Sequence, residues 1–223
     1  MTKASAWFSQ QDREAITAAI GGAEKTTAGE IVPVIATASG RYDRAEDLVG
    51  GLFASVALVL AWWLWPTSQV DWSGVGISGP GLVGSLLTVW IGFVLGAVIA
   101  TRLPVLRLPF IGKQEMLDEV ERRAMESFHR YRVRATAGGT GILIYVSLYE
   151  RMVRVVGDDV IAEKLSQSDW DGVRDILIEG LAANRATDGL VAAIRASGAL
   201  LEQHFPIQSD DQNELSNELH LID

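Results

Sequence analysis

Two long stretches without any charged side chain stand out in the pattern of polar and apolar positions along the chain, over residues 48–70 and 73–101. Each is close to the ~20 residues that cross a bilayer as a helix. Because lipid offers the backbone no hydrogen-bond partners, both are expected to be helical despite many β-branched residues. The pattern therefore predicts a transmembrane helical hairpin over 48–101, with spans at about 48–66 and 81–101. The alternative is a buried hairpin in the core of a soluble protein.

The residues flanking these stretches predict an orientation. Tryptophans cluster at the end of the first span and in the connector, as in the aromatic belt of a membrane interface; they are Trp62, Trp63, Trp65 and Trp72. Basic residues lie at the opposite ends of the spans, at Arg41, Arg44, Arg102, Arg107 and Lys113, and the connector has none. The positive-inside rule then places both termini in the cytoplasm. We expect a multi-pass protein of the plasma membrane, with Arg102 and Arg107 at its interface.

A row of small residues follows one side of the second span. It contains Gly84, Gly92 and Gly96, spaced in multiples of four. Such a row lets a neighbouring helix backbone approach closely. It predicts either a homodimer formed through this row or packing against the first span of the same chain.

The remaining sequence predicts a helix–sheet domain that the hairpin interrupts. Apolar spacing gives, in chain order, helix 9–26, strand 30–36, the hairpin, helix 113–132, strands 142–147 and 152–156, and helices 170–183 and 188–205. Such an order favours a small sheet between layers of helices. The predicted class is α/β, with a small mixed β-sheet sandwiched by helices and an inserted two-helix transmembrane hairpin. The domain would comprise 1–47 and 102–206, followed by an acidic C-terminal tail, 207–223.

Three local signals refine this prediction. Ser9, followed by an acid at Asp12, is typical of a helix N-terminus with a capping box. Pro33 has no N–H to donate, which predicts that its strand lies at a sheet edge or carries a local irregularity. Pro206 is expected to end the fold, so that the tail adds only a short apolar stripe.

Composition and charge exclude several classes of protein. The chain has 223 residues, a formal charge of -9 and no cysteine. The absence of cysteine excludes a disulfide scaffold, a thiolate metal site and a cysteine nucleophile. The acidic balance argues against a nucleic-acid partner, because nucleic-acid binding needs clustered Lys and Arg. The mean hydropathy of +0.20 is high for so charged a chain, and the apolar hairpin accounts for it.

Several segments outside the spans resemble the TPM-domain family. They are 141–157 with its Tyr-Glu-Arg turn, 27–34, Trp170, and the Asp-Gly-Leu sequence at 188–190. The resemblance is strongest to the bacterial branch in which two spans interrupt the domain after its first strand. It implies an α/β/α fold with a small mixed sheet and a location in the bacterial inner membrane. Members of the wider family are described as thylakoid acid phosphatases, binders of calcium or other divalent ions, photosystem-repair factors and receptor auxiliary subunits.

Carboxylates near the ends of predicted strands and helices are candidate ligands for a divalent cation such as Ca²⁺, which prefers oxygen. They are Asp158, Asp159, Asp43, Asp47 and Asp169. Loops at strand ends often meet at one edge of a sheet, so these groups are candidates for a shared site. The alternative is a solvated flank at Asp43–Asp47 and a helix cap at Asp169.

No arrangement of residues in the sequence indicates nucleophilic catalysis, and the three histidines have no zinc-site spacing. The arginines of the helix at 113–132 are predicted either to touch anionic lipid or to pair with glutamates of the same helix. We therefore expect a membrane-anchored domain that faces the cytoplasm and acts as an interaction or auxiliary factor, with the lipid bilayer and a membrane protein as partners. The alternative is a divalent-metal-dependent phosphatase or related hydrolase at the membrane surface.

Overall fold

The computed structural model describes residues 3–65, 79–136, 138–207 and 212–223. The chain divides into two compact units, a hairpin unit over Arg41–Glu115 and an α/β unit formed by Thr2–Gly40 and Met116–Asp223. The hairpin unit thus lies in the sequence between the two segments of the α/β unit. Its bounds include residues on both sides of the two apolar helices.

Seven helices and four strands lie in the described part of the chain. In the hairpin unit, α2 is Asp43–Leu64 and α3 is Gly81–Arg102. The helices of the α/β unit are α1 Gln10–Ala23, α4 Lys113–Arg130 (which starts in the hairpin unit), α5 Asp159–Ala162, α6 Gln167–Ala182 and α7 Ala186–His204. The strands are β1 Glu30–Ala36, β2 Gly141–Ser147, β3 Met152–Gly157 and β4 His220–Ile222.

The α/β unit is built on a four-stranded mixed sheet with the strand order β3-β2-β1-β4. Strand β1 runs parallel to β2 and to β4, whereas β2 and β3 are antiparallel. Every residue of β1 and β2 is buried. Parallel strands usually need cover on both faces, and this sheet has it.

Alternate side chains of each strand enter two separate hydrophobic clusters, as the two-residue period of a strand dictates. Ile31 and Ile35 of β1 pack with side chains of α1, α6 and α7. Val32 and Val34 face the other way and pack with side chains of α4. The sheet therefore lies between helices, as predicted.

Strand β1 is an inner strand, so the expectation of an edge position for Pro33 is wrong. The backbone alternates along β1: the N–H of Glu30 donates to Thr140 beside β2, and the N–H of Thr37 donates to Ile222 in β4. The nitrogen of Pro33 therefore faces the β4 side. Pairing with β4 begins only at Val34, so Pro33 is tolerated because no neighbouring strand needs its missing donor.

The fold does not end at Pro206. The last residues of the predicted tail form β4, which pairs with β1 over three positions. The carboxylate of Asp223 also accepts hydrogen bonds from the backbone N–H and the hydroxyl of Ser5, at 3.0 and 2.7 Å. The chain end thus completes the sheet.

Two local predictions are confirmed. The capping box at the start of α1 is present, because the Ser9 hydroxyl accepts from the N–H of Asp12 while the Asp12 carboxylate accepts from the N–H of Ser9. Four residues turn β2 into β3, as expected, and the last of them, Arg151, has a φ of 55°. That left-handed conformation suits glycine better than arginine.

Candidate functional site

Helices α2 and α3 present an apolar surface to their surroundings. Each has 22 residues and is long and apolar enough to cross a membrane. Their large side chains point away from the protein: Trp63 is 78% and Leu95 55% exposed. Water-soluble helices bury such side chains. In length, composition and exposure, this surface fits the interior of a bilayer.

The glycines of α3 lie where the two helices touch. A Cβ on Gly96 would come within 2.6 Å of the Cβ of Phe53, and one on Gly92 within 2.9 Å of the Cα of Ala54. Gly84 has a different neighbour, since its closest contact is Pro80 at the start of its own helix. Gly92 and Gly96 therefore contact the first helix of the same chain, which is the predicted alternative to a homodimer contact.

Among the predicted interface residues, the tryptophans and the arginines differ in their environments. Trp62, Trp63 and Trp65 are exposed, and Trp72 lies outside the described residues. Arg102 is exposed at the last position of α3. Arg107 turns inward instead, forming an ion pair with Glu46 at 2.6 Å and donating to the carbonyl of Arg41 at 3.2 Å.

The predicted metal ligands Asp158 and Asp159 form the N-terminus of α5. The buried carboxylate of Asp158 caps this helix by accepting from the N–H of Asp159 at 2.7 Å. Arg134 forms ion pairs with both aspartates. A guanidinium supplies much of the positive charge that a cation would bring, so a metal here would have to displace Arg134.

The other predicted ligands occupy separate places. Asp169 completes the capping box of α6 by accepting from the N–H and hydroxyl of Ser166, and these bonds lower its pKa. Asp43 and Asp47 belong to the first turns of α2, in the hairpin unit. No group of three or more acidic, His or Cys side chains suited to a metal occurs among the described residues. Divalent-cation binding by these aspartates stays a prediction.

A buried polar network at the carboxyl ends of β1 and β2 was not expected from the sequence. Glu150 accepts hydrogen bonds from the backbone N–H groups of Ser39 at 3.0 Å and Gly40 at 3.2 Å, and from the hydroxyl of Ser147. The Ser39 hydroxyl donates to that of Ser147 at 2.7 Å and lies 3.0 Å from that of Tyr145, whose pKa is raised by burial. The carboxylate thus holds the last two residues before the hairpin unit.

A second polar cluster lies along β1 where β4 does not reach. Glu24 accepts from the N–H of Ile31 at 3.0 Å, and Glu30 accepts from the N–H of Glu214 at 3.0 Å. Burial, followed by the nearby charge of Glu30, raises the pKa of Glu24 to about 7 despite the bonds from Ile31 and Asn217. These carboxylates replace the missing strand partner and hold the C-terminal segment.

Two arginines of α4 form ion pairs with glutamates of the same helix. Arg122 forms ion pairs with Glu119 and Glu126, and Arg123 with Glu126 at 2.9 Å. Arg123 also donates from its Nε to the carbonyl of Ser39 at 3.1 Å. Pairing with glutamates of the same helix, the second of the two predictions, accounts for these two arginines.

Fold and surface together define a class: an α/β protein with an apolar helical hairpin inserted after its first strand. The fold is similar to that of the BA42 protein from the psychrophilic bacterium Bizionia argentinensis, solved by NMR. The TM-score is 0.57 and the identity 22%, over 99% of each chain. At this identity the likeness shows the fold alone. No family model and no curated protein matches the sequence.

Proposed function

We propose that this chain is a membrane-anchored member of the TPM-domain class, whose α/β unit faces the cytoplasm and serves as an interaction or auxiliary module for a membrane protein. The observation that carries the proposal is the exposed apolar surface of α2 and α3. Removing such a surface from water contributes roughly 25 cal/mol for each Å². A bilayer covers both helices at once and leaves the α/β unit in water.

The insertion point supports an anchor that is part of the fold. The chain leaves the α/β unit at Gly40, whose N–H donates to Glu150, and re-enters it along α4. Arg123 of α4 binds the carbonyl of the neighbouring Ser39. Exit and return are therefore tied to one buried network, so the anchor cannot be removed without cutting into the domain.

The orientation can be tested in a chain that contains no cysteine. Single cysteines at Ser73, in the connector, and at Glu179, on α6, would be probed with a membrane-impermeant maleimide in intact cells. We expect labelling of Ser73→Cys only, and labelling of both after lysis. The reverse pattern would contradict a cytoplasmic α/β unit, and labelling of both in intact cells would contradict a membrane anchor.

The interaction role calls for crosslinking in native membranes. A photoreactive amino acid at Met125 or Ile178, both exposed on the α/β unit, should give an adduct with a membrane protein of defined mass. The same group at Trp63 serves as a lipid-facing control. If the two α/β positions capture only lipid, copies of this chain or nothing, the interaction role is wrong.

The hydrolase alternative makes a different prediction. Titration of the intact protein with Ca²⁺ would then show binding that Asp158→Asn/Asp159→Asn abolishes, and phosphatase activity that depends on the same ion. The variant Asp171→Asn/Asp175→Asn, on α6, removes the same charge and is the matched control. Such a result would replace the auxiliary role with a catalytic one.

A further inference from the structure

Between α3 and α4 the chain runs through residues 103–112, called here the post-span segment. It contains two 3₁₀ turns, Pro104–Leu106 and Leu108–Phe110, and so changes direction instead of prolonging α3. Ten residues are too few to cross a bilayer. Six of its ten residues are nevertheless large and apolar.

The apolar side chains of the post-span segment point outward. Val105 is 65% and Phe110 39% exposed, and Leu103 and Leu108 are exposed as well. They follow directly in sequence on α3, whose Val98 is also exposed. Several exposed apolar side chains close together in the sequence suggest a binding surface.

One ion pair fixes which side of the segment faces outward. Arg107 lies between the two 3₁₀ turns and forms its pair with Glu46 in the first turn of α2. The two side chains are 13% and 23% exposed. Ile111, near the end of the segment, is also buried. The segment's central cation is thereby neutralised against the hairpin, and the apolar side chains are left on the outside.

Two further cations border the patch. Arg102 precedes it and Lys113 follows it; both are exposed, and neither forms an ion pair with any residue that the structure describes. No acidic residue lies between them in the sequence. An apolar centre with cations at its rim is the pattern by which segments lie in the headgroup region of an anionic leaflet.

We propose that the post-span segment lies in the membrane interface and binds anionic phospholipid headgroups through Arg102 and Lys113. This rests on the proposed function, because it places the end of α3 at the membrane surface. Arg107, expected from the sequence to serve the interface, positions the segment by pairing with Glu46. Leu103, Val105, Leu108 and Phe110 enter the boundary between headgroups and acyl chains.

The depth of the post-span segment in the bilayer can be measured on the intact chain, reconstituted in bilayers of phosphatidylglycerol and phosphatidylcholine. Spin labels on Leu95→Cys, Val105→Cys and Glu179→Cys report accessibility to oxygen, which enters lipid, and to a water-soluble nickel chelate. We expect Leu95 to lie deep, Glu179 to be aqueous and Val105 to lie between them. All three substitutions are at exposed positions and leave the packing intact.

Lipid preference is measured with a fluorophore at Val105→Cys and quencher-labelled phosphatidylglycerol or phosphatidylcholine. The anionic lipid should quench more strongly. Arg102→Gln/Lys113→Gln should reduce this preference by about fivefold for each charge removed. Arg185→Gln/Arg195→Gln, on exposed residues of the α/β unit, makes the same change in net charge and should leave the preference unchanged.

The outcomes separate this inference from the proposed function. An aqueous Val105 beside a deep Leu95 would overturn the interfacial segment and leave the anchor standing. A Val105 label shielded from both reagents would mean that protein covers the patch, which also overturns the inference. Equal quenching by the two lipids would contradict the proposed binding of anionic headgroups. An aqueous Leu95 would refute the anchor itself.

Discussion

Leu190 of α7 is fully buried, whereas Leu95 of α3, a helix of similar length, is 55% exposed. The same contrast holds for most large apolar side chains of the two units. In the α/β unit, most of them fill the space between sheet and helices. In the hairpin unit, small residues such as Gly92 and Gly96 make the helix contact, and the large side chains are outermost.

This difference is the one expected if, as proposed, the hairpin unit lies in lipid and the α/β unit in water. In water, a helix gains stability by burying one apolar stripe. Two apolar helices in lipid gain nothing by hiding leucine from an equally apolar solvent, and close backbone contact stabilises them instead. One chain therefore follows two rules, and substitutions should have opposite consequences in its two parts.

The largest expected effect comes from making one substitution in both units. Leu190→Ala should lower the free energy of unfolding of the α/β unit by about 2–5 kcal/mol, because it leaves a cavity in a packed core. Leu95→Ala should change stability little while the hairpin stays in lipid. Thermal unfolding of the reconstituted protein, followed by near-UV circular dichroism, makes the comparison. Equal losses would mean that Leu95 is packed against protein.

A smaller effect is expected at the buried network. Glu150→Gln removes the charge that strengthens the bonds from Ser39, Gly40 and Ser147. The loss should be about 1.5–3 kcal/mol, the range for hydrogen bonds to a charged group. Glu163→Gln, at an exposed position, is the control. Urea unfolding measures the stability of both variants. If Glu150→Gln leaves the free energy of unfolding unchanged, the charge is dispensable.

Local signals in the sequence predict most of the fold. The spacing of apolar residues predicts the six longer helices and the three longer strands, but not the four-residue α5. Ser9 predicts the start of α1. The spacing of apolar residues does not predict strand β4, because this strand has only three residues and pairs with a strand far away in sequence. Ile222 of β4, together with Leu215 and Leu219 before it, has the spacing of a helix.

The candidate sites are harder to predict for the same reason. Glu150 is part of a four-residue turn in the sequence, and nothing local indicates that its carboxylate reaches Ser39, over 100 positions away. Asp158 has the composition of a metal ligand, but its partner Arg134 comes from another part of the chain. Sequence identifies which residues can do chemistry, whereas their neighbours depend on the tertiary fold.

The pH dependence of stability should come from the α/β unit, since the charge-free stretches of the hairpin hold no group that titrates near neutrality. The pKa of Glu24 is raised to about 7 by burial. Its stabilising contribution is complete below its unfolded pKa and is lost as the pH rises through about 7. Between pH 6 and 8 this loss is about 1 kcal/mol.

Glu24→Gln should abolish this decline, whereas Glu14→Gln, at an exposed position on the same helix, should keep it. Urea unfolding at several pH values measures the slope. A wild-type curve that is flat across neutrality would show that Glu24 is charged at pH 7 and well solvated. A decline that persists in Glu24→Gln would assign it to another group.

The smallest expected effect lies in the turn between β2 and β3, where two terms oppose each other. Arg151 is exposed and has a φ of 55°. Relieving a left-handed arginine should gain about 1–2 kcal/mol. Glycine offsets about 0.5–1 kcal/mol of this gain in stability, because it makes the unfolded chain more flexible. Arg151→Gly should therefore raise the free energy of unfolding by about 0.5–1 kcal/mol, whereas Arg151→Ala, which keeps the strain, should not. If the two variants are equal in urea unfolding, the turn holds no strain that glycine can release.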